Sequence, residues 1–406
     1  MTHRLACGSN TLYSTYMRDR LLYDRISCSE RNILLIGPRQ VGKSTLCRSL
    51  APRRIIDLAD EQVYLAHAKD AGLLKRELAA EKASGLIVID EVQRLPSLLN
   101  TVQSLVDDPS NSFRFILIGS SARKLKRGGA NLLPGRIILE HMDPFLYFEV
   151  RDAFDLARAL QAGMLPGVYL GGEEAIATLS TYVEVYLREE IRAEALVRNL
   201  GDYARFLDVA AILSGQWLNY SKLSSDTEIP KETIRRFVSL LEDTLLMFRL
   251  PAFVPRRKIT RRLSQRDKFL FFDIGVRNAL LGIHRRPIAP DQIGSAFEQW
   301  LVLQIIYLNR LLRKDWRLSS YRTNAGAEVD LVIERETDIL GIEIKSTRNV
   351  ARADTRGLLS LVETVRSYKP VRMWVIYSGE RRQLLENGVH VLPYLEALEE
   401  LRASEK

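Results

Sequence analysis

Short apolar runs recur along the first part of the chain, and polar or amphipathic stretches separate them. The runs cover residues 33–36, 55–58, 86–89, 115–118 and 137–139. A continuous apolar run of this length is typical of a strand buried on both faces, and helical stretches between such strands indicate βαβ units. We therefore predict a parallel sheet covered by helices on both faces from residue 32 to about 150.

The pattern changes to helical spacing in the middle of the chain. Residues 179–197 predict one charged amphipathic helix, part of a helical lid, and further helices are predicted at 203–214, 219–223 and 231–241. A turn precedes the last helix, and two strands are predicted after it, at 247–253 and 268–272. This order predicts a winged helix-turn-helix.

The last third alternates polar and apolar residues, as strands do. Residues 321–334 predict one strand and residues 339–346 a second, joined by a polar turn at 335–338. Residues 294–301 begin a helix. The sequence thus predicts an α/β protein with a parallel-sheet domain, a helical and winged-helix middle domain and a C-terminal α/β domain.

Length and composition limit the class of protein. The chain has 406 residues, which is too long for one compact domain, and its 46% hydrophobic residues can form ordinary cores. No run approaches the roughly 20 apolar residues that cross a bilayer, and the N-terminus lacks an apolar signal segment. Cys7, Cys28 and Cys47 lack metal-ligand spacing, which fits a reducing compartment. We expect a cytoplasmic protein without a membrane partner.

The first apolar run leads directly into a phosphate-binding motif. Gly37 and Gly42 let the backbone turn its N–H groups toward phosphates, Lys43 meets the β and γ oxygens of ATP, and Ser44 completes a Mg²⁺ shell. A glycine-rich turn is the weaker alternative, because a strand precedes the motif and a helix follows it. The predicted nucleotide-binding residues are Gly37, Pro38, Arg39, Gln40, Val41, Gly42, Lys43, Ser44 and Thr45.

The third apolar run ends in two carboxylates, Asp90 and Glu91. Alone, such a pair would indicate the solvated start of a helix. Beside a phosphate loop, Asp90 is predicted to hold Mg²⁺ and Glu91 to orient the attacking water, which predicts hydrolysis as well as binding.

Two further positions are candidates for the nucleotide site. Ser120 and Ser121 follow the fourth run, where a polar residue can sense the γ-phosphate. Arg136 precedes the fifth run and is predicted to reach a neighbouring subunit's site, which implies a homo-oligomer. An ordinary surface arginine is the alternative.

Basic residues cluster in the middle domain. Lys231, Arg235 and Arg236 lie on the helix that would be the recognition element, and a basic segment links the two predicted strands. Such a charge density suits DNA phosphates, although helix-turn-helix modules also bind proteins. The basic segment contains Arg256, Arg257, Lys258, Arg261, Arg262, Arg266 and Lys268, against one acid, Asp267.

A second candidate centre lies in the C-terminal hairpin. Asp330 and Glu343 can converge there, because Glu343 and Lys345 share a strand face by the two-residue period. Glu298 on the preceding helix could add a carboxylate. This set could hold a divalent metal against a phosphodiester, with Lys345 polarising the attacking water or the phosphate. A hairpin with ordinary exposed charges is the alternative.

The chain resembles a large prokaryotic family of AAA ATPases whose C-terminal part is a domain of unknown function. The resemblance rests on Gly-Pro-Arg-Gln-Val-Gly-Lys-Ser-Thr, Ile-Asp-Glu-Val-Gln-Arg-Leu-Pro and Gly-Ser-Ser-Ala-Arg. Ala-Phe-Glu-Gln-Trp-Leu, Glu-Val-Asp-Leu-Val-Ile-Glu and Ile-Glu-Ile-Lys-Ser resemble the PD-(D/E)xK restriction-endonuclease-like fold. The family implies a winged helix between the two. We predict an AAA-type ATPase domain at 1–165, a helical lid and winged helix-turn-helix at 166–285 and a nuclease-like domain at 286–406. The Ser-Ser pair departs from AAA+ enzymes, where Asn is usual.

These observations predict an ATPase that acts on duplex, branched or foreign DNA by remodelling or cleavage, and they leave open whether the nuclease-like domain cleaves. A regulatory NTPase that binds protein partners through the same domains is the main alternative. A third keeps DNA binding and treats the nuclease-like domain as a structural platform.

Overall fold

The computed structural model describes residues 20–81, 84–120, 135–187, 199–255 and 266–404, without the side chains of 173, 186 and 187. The chain forms two compact units. The first comprises the chain up to Ala153 together with Leu165–Ala175 and Ser239–Leu246, and the second comprises Phe154–Met164, Ile176–Val238 and the chain from Met247 onward.

A parallel five-stranded sheet with the order β2-β3-β4-β1-β5 forms the first unit. Its strands are β1 (Asn32–Ile36), β2 (Arg54–Asp57), β3 (Gly85–Asp90), β4 (Phe113–Gly119) and β5 (Ile137–His141). The helices are α1 (Leu21–Ser27), α2 (Lys43–Ser49), α3 (Glu61–Lys69), α4 (Leu73–Ala80) and α5 (Leu98–Val106). Each predicted apolar run is confirmed as a strand, and the apolar residues of α4 and α5 pack on one face of the sheet.

The middle of the chain is mainly helical. Its helices are α6 (Leu156–Ala162), α7 (Pro166–Tyr169), α8 (Glu173–Thr181), α9 (Leu200–Leu213), α10 (Tyr220–Thr227), α11 (Lys231–Asp243) and α12 (Ile274–Leu280). The side chains of Asn199 and Asn219 accept backbone N–H groups at the starts of α9 and α10, which explains where those helices begin. Residues 179–187, the described part of the helix predicted over 179–197, are helical but do not form one regular α-helix, because α8 ends at Thr181 and a π-helix follows over Tyr182–Leu187.

Two short strands complete the middle region. They are β6 (Met247–Leu250) and β7 (Lys268–Phe271), which pair antiparallel. The first is shorter than predicted, because the strand ends before Pro251.

The C-terminal part contains a mixed six-stranded sheet with the order β12-β13-β11-β10-β9-β8. Its strands are β8 (Arg317–Arg322), β9 (Glu328–Glu334), β10 (Ile339–Lys345), β11 (Val371–Tyr377), β12 (Gln383–Leu384) and β13 (His390–Pro393). The helices are α13 (Pro290–Leu312), α14 (Arg356–Val365) and α15 (Tyr394–Ala403).

One strand prediction in this region is wrong. Residues 321–334 do not form a single strand, because the chain reverses between Arg322 and Glu328 and β8 pairs antiparallel with β9. The N–H of Thr323 donates to the carbonyl of Ala327 at 2.9 Å, and Gly326 adopts a left-handed φ of 87°. That φ favours glycine, so Gly326 permits the turn.

Candidate functional site

The phosphate-binding motif follows β1 at the carboxyl edge of the parallel sheet. A Cβ atom on Gly37 would lie only 2.1 Å from the carbonyl oxygen of Met142, so only glycine fits there. Gln40 and Gly42 have positive φ angles of 64° and 94°, which turn the backbone into α2. The loop is therefore held in its turn by close packing and by backbone conformation.

The Lys43 side chain is buried against this loop. Its Nζ donates to the carbonyl oxygens of Gly37 and Pro38, both at 2.7 Å. These two bonds fix the ammonium beside the loop backbone, which is where the sequence places a contact to ATP phosphates.

Ser44 and Asp90 come together although they are distant in sequence. Burial raises the pKa of the Asp90 carboxyl, and the hydrogen bond from the Ser44 side chain opposes that shift. The Ser44 hydroxyl and the Asp90 carboxylate are hard oxygen donors, and burial makes the negative charge of Asp90 favour a cation nearby. Such a pair fits Mg²⁺, which uses few protein ligands and takes the rest from phosphates and water.

Glu91 follows Asp90 in a left-handed conformation with φ 55° and ψ 39°. Non-glycine residues in this region store strain and occur preferentially at functional sites. The turn orients the carboxylate toward Gln93.

Gln93 is a residue that the sequence analysis missed. It is buried, and its Nε2 donates both to the Glu91 carboxylate and to Ser120 Oγ, the latter at 3.0 Å. Its Oε1 has no hydrogen-bond partner in the described part of the chain. One amide thus joins the predicted water-orienting carboxylate to the predicted γ-phosphate sensor. The only sequence signal was a glutamine two positions after Glu91.

The other predicted nucleotide-site residues lie in or near the same loop, except for two. Ser121 lies outside the described residues. Arg136 forms an ion pair with Asp107 of its own chain and is 39% exposed, so its role across an interface stays a prediction. The remaining loop residues are Pro38 and Val41, which are buried, and Arg39 and Thr45, which are half-buried.

The hairpin of β9 and β10 brings the second predicted set together. The backbone N–H of Ile344 donates to Asp330 Oδ2 at 2.8 Å, which places Asp330 beside the strand that carries Glu343 and Lys345. Lys345 Nζ donates to Glu343 Oε1 at 2.9 Å. Glu298 on α13 completes the carboxylate cluster, defined here as Glu298, Asp330 and Glu343.

Crowding changes the acidity of this cluster. Burial and the charge of Asp330 raise the pKa of Glu298 to about 7 and that of Glu343 to about 8. The neighbouring lysines Lys268 and Lys345 oppose these shifts. The carboxylates therefore need compensating positive charge to be ionised together.

Lys268 supplies part of that charge. The prediction that Lys268 belongs to an exposed phosphate-binding segment is wrong, because its side chain is only 8% exposed and its Nζ lies 3.1 Å from Glu298 Oε1 and 3.8 Å from Asp330 Oδ1. Burial lowers the pKa of Lys268, but the charges of Glu298 and Asp330 outweigh it and the net shift is upward. Among the described residues, no group of three or more His, Cys, Asp or Glu side chains is arranged to hold a metal ion.

The predicted DNA-binding residues of α11 are exposed. Arg235 pairs with Glu232 at 2.7 Å and its guanidinium lies 5.6 Å from the Tyr220 ring centroid, while Arg236 donates to Thr233. Lys231 donates to Ser221 Oγ on α10 at 3.3 Å. Arg266 is exposed. Arg256, Arg257, Lys258, Arg261 and Arg262 lie outside the described residues.

Three family models match successive parts of the chain. Residues 29–151 match a model described as an AAA domain, residues 153–286 one described as Domain of unknown function (DUF8612), and residues 293–397 one described as Domain of unknown function (DUF4143). The first match and the parallel sheet with its phosphate loop support an AAA-type ATPase.

Two mycobacterial proteins are similar to most of this chain. The uncharacterized proteins Mb2031c of Mycobacterium bovis and Rv2008c of Mycobacterium tuberculosis are each 28% identical over 369 residues, which is 89% of this chain and 79% of theirs.

Among solved structures, the Orc1 protein of Aeropyrum pernix in complex with DNA matches with a TM-score of 0.31 at 14% identity, covering 66% of this chain and 91% of that one. The STAND protein PH0952 of Pyrococcus horikoshii, with a tetratricopeptide repeat sensor, matches with a TM-score of 0.24 at 13% identity, covering 72% of this chain and 45% of that one. In the described ranges no helix has the length and apolar character to cross a membrane.

Proposed function

We propose that this chain hydrolyses ATP at the carboxyl edge of its parallel sheet and couples hydrolysis to an action on DNA. The observation that carries the proposal is the convergence of Lys43, Ser44, Asp90 and Glu91 from two separate segments of the chain. An AAA-type domain of this kind implies a bound nucleotide and, usually, Mg²⁺.

Each side chain has a role that follows from its position. Ser44 and Asp90 would hold Mg²⁺, which when bound neutralises charge on the phosphates. Lys43 binds phosphate oxygens by turning its ammonium from the loop carbonyls. Glu91 orients the attacking water and accepts its proton, and Gln93 holds that carboxylate in place.

DNA is the proposed partner because exposed basic residues lie on α11. This helix follows α10 after a tight turn, as the recognition helix does in a helix-turn-helix. Phosphate contacts release counterions, so their loss should flatten the salt dependence of binding. A protein partner would not give a steep slope of this kind.

The experiment compares a triple variant, Lys231→Ala with Arg235→Ala and Arg236→Ala, with wild type on duplex and branched DNA. For three lost phosphate contacts, the slope of log K against log salt should fall by roughly 2 to 3. A matched control removes three exposed charges elsewhere, at Lys69, Lys75 and Arg366, and should leave the slope unchanged. Identical slopes for wild type and the α11 variant would remove α11 from the DNA contact.

Coupling has its own readout. ATP turnover should rise when DNA is added to wild type, and the rise should shrink in the α11 variant while turnover without DNA stays the same. Turnover that is indifferent to every DNA tested, in a protein that hydrolyses ATP, would favour the regulatory NTPase with a protein partner.

For the nuclease-like domain we propose DNA binding without cleavage. The residues of the predicted centre converge, but Lys268 is paired with two of its three carboxylates. We therefore expect wild type and Asp330→Ala to give the same result when each is incubated with DNA and Mn²⁺, with and without ATP: neither forms a cleavage product above background. A product that depends on Asp330 would establish cleavage instead.

A further inference from the structure

We propose that Lys268 is the built-in cation of the carboxylate cluster, holding the place that a divalent metal ion takes in a cleavage centre. The chain carries three of the acidic residues that such a centre needs. Its Lys268 ammonium, however, lies within ion-pair distance of Glu298 and Asp330. The cluster is thus charge-compensated by a side chain of the same protein.

The position of Lys268 is fixed by the backbone around it. Lys268 pairs with Leu250 across the β6–β7 ladder and forms a bridge with Trp217 on its other side. Backbone hydrogen bonds on either side of Lys268 join β7 to the segment that follows α9. The N–H of Gly215 donates to the carbonyl of Phe269, and the N–H of Leu218 donates to the carbonyl of Asp267, each at 2.8 Å. Because backbone neighbours hold β7 on both sides, the position of Lys268 beside the carboxylate cluster is fixed.

The surroundings of the ammonium favour this pairing over an exposed position. The side chain is 8% exposed, and its Nζ lies 5.4 Å from the centroid of the Trp217 ring, which attracts a cation. A buried ammonium is strongly unfavourable without a partner, so Lys268 depends on Glu298 and Asp330 as they depend on it.

A divalent ion and Lys268 cannot share the cluster. An ion bound by Glu298 and Asp330 would lie within a few ångströms of the ammonium, and the repulsion between these like charges would be poorly screened at a buried position. Binding a divalent ion therefore requires Lys268 to leave, and its strand anchors and burial oppose that movement.

Solvent can reach the carboxylate cluster. A cleft of about 390 Å³ opens beside the cluster, and its lining includes Trp217, Lys268, Glu298 and Asp330. Ions can enter this cleft, so the resident ammonium is the obstacle that the proposal identifies.

The test measures Mn²⁺ binding to the nucleotide-free full-length chain by electron paramagnetic resonance. Lys268→Met removes the charge and keeps an apolar stem against Trp217, and it should raise Mn²⁺ affinity at least tenfold over wild type. Adding Asp330→Asn to that variant should abolish the gain, which separates this site from weak binding at Ser44 and Asp90. Lys222→Met is the matched control, because Lys222 lines the same cleft, and it should behave as wild type.

Two further measurements keep the proposal falsifiable if Lys268→Met does not fold. Lys268→Arg preserves the charge and should gain no Mn²⁺ affinity. Mn²⁺ should change the melting temperature of wild type and of Asp330→Asn by the same amount. The proposal is overturned if folded Lys268→Met binds Mn²⁺ no better than wild type, or if wild type shows an Asp330-dependent rise.

The outcome is independent of the proposed ATPase function. Loss of ATP hydrolysis in other variants would leave the Mn²⁺ result unchanged, and a failure of the Lys268 proposal would leave the nucleotide site unchanged.

Discussion

Gly37→Ala should damage both the stability of the first unit and its nucleotide site. The added Cβ would lie 2.1 Å from the Met142 carbonyl oxygen, about 1 Å closer than such atoms approach without a shift. Neither side can yield easily, because the Met142 N–H donates to the Ile36 carbonyl at 2.9 Å and so ties the two segments together. Overpacking of this kind costs roughly 1 to 3 kcal/mol.

The same displacement should move the phosphate loop. A misplacement of about 1 Å at a catalytic site reduces the rate by about 100-fold. Chemical denaturation reports the stability loss, and equilibrium binding of a fluorescent ATP analogue together with ATP turnover reports the site. Gly167→Ala is the control, since a Cβ there meets no atom within 4 Å. If Gly37→Ala matched Gly167→Ala in stability, affinity and turnover, the reasoning about close packing at this loop would be refuted.

Two further predictions concern polar residues. Gln93→Leu should keep nucleotide affinity and lower ATP turnover by roughly 10- to 100-fold, because the Glu91 carboxylate loses a hydrogen-bond donor worth about 1.5 to 3 kcal/mol. Steady-state kinetics measure this turnover, and a rate equal to that of wild type would contradict the prediction. Burial raises the pKa of the Asp273 carboxyl to about 6, above its usual 3.8, so the folded chain loses stability as pH rises between these values. Relative to Asp273→Asn, the free energy of unfolding of wild type should fall by about 2 kcal/mol between pH 4 and pH 7.5. Urea unfolding at both pH values checks this, and an equal difference at both would contradict it.

The sheet and the nucleotide motif could be predicted because their signals are local. A buried parallel strand needs a continuous apolar run, and a phosphate loop needs glycines and a lysine at fixed spacing. These requirements act on neighbouring residues, so the five strands could be recognised with only small errors at their ends.

The turn in the C-terminal region was hidden for a related reason. Residues on both sides of it keep the alternation of polar and apolar positions, so the period alone predicts one strand over 321–334. The reversal depends on the left-handed conformation at Gly326 and on the bond between Thr323 and Ala327, which the period does not indicate.

Two pairings between distant residues, those of Lys268 and Gln93, could not be predicted. Lys268 belongs to a basic segment in sequence, and nothing nearby indicates that its strand delivers it to acids on α13 and β9. Gln93 likewise gains its importance from Ser120, which is 27 positions away.

The central claim is that Lys43 and Glu91 serve one ATP-hydrolysing site in separate roles. The most direct measurement is single-turnover ATP hydrolysis by Glu91→Gln, with ATP affinity measured on the same preparation and Lys43→Ala alongside. The account predicts that Glu91→Gln binds ATP as wild type does and hydrolyses it at least roughly 100 times more slowly, since a positioned base contributes about 10²- to 10⁴-fold. Lys43→Ala should lose affinity itself. Wild-type hydrolysis by Glu91→Gln that binds ATP normally would contradict the account.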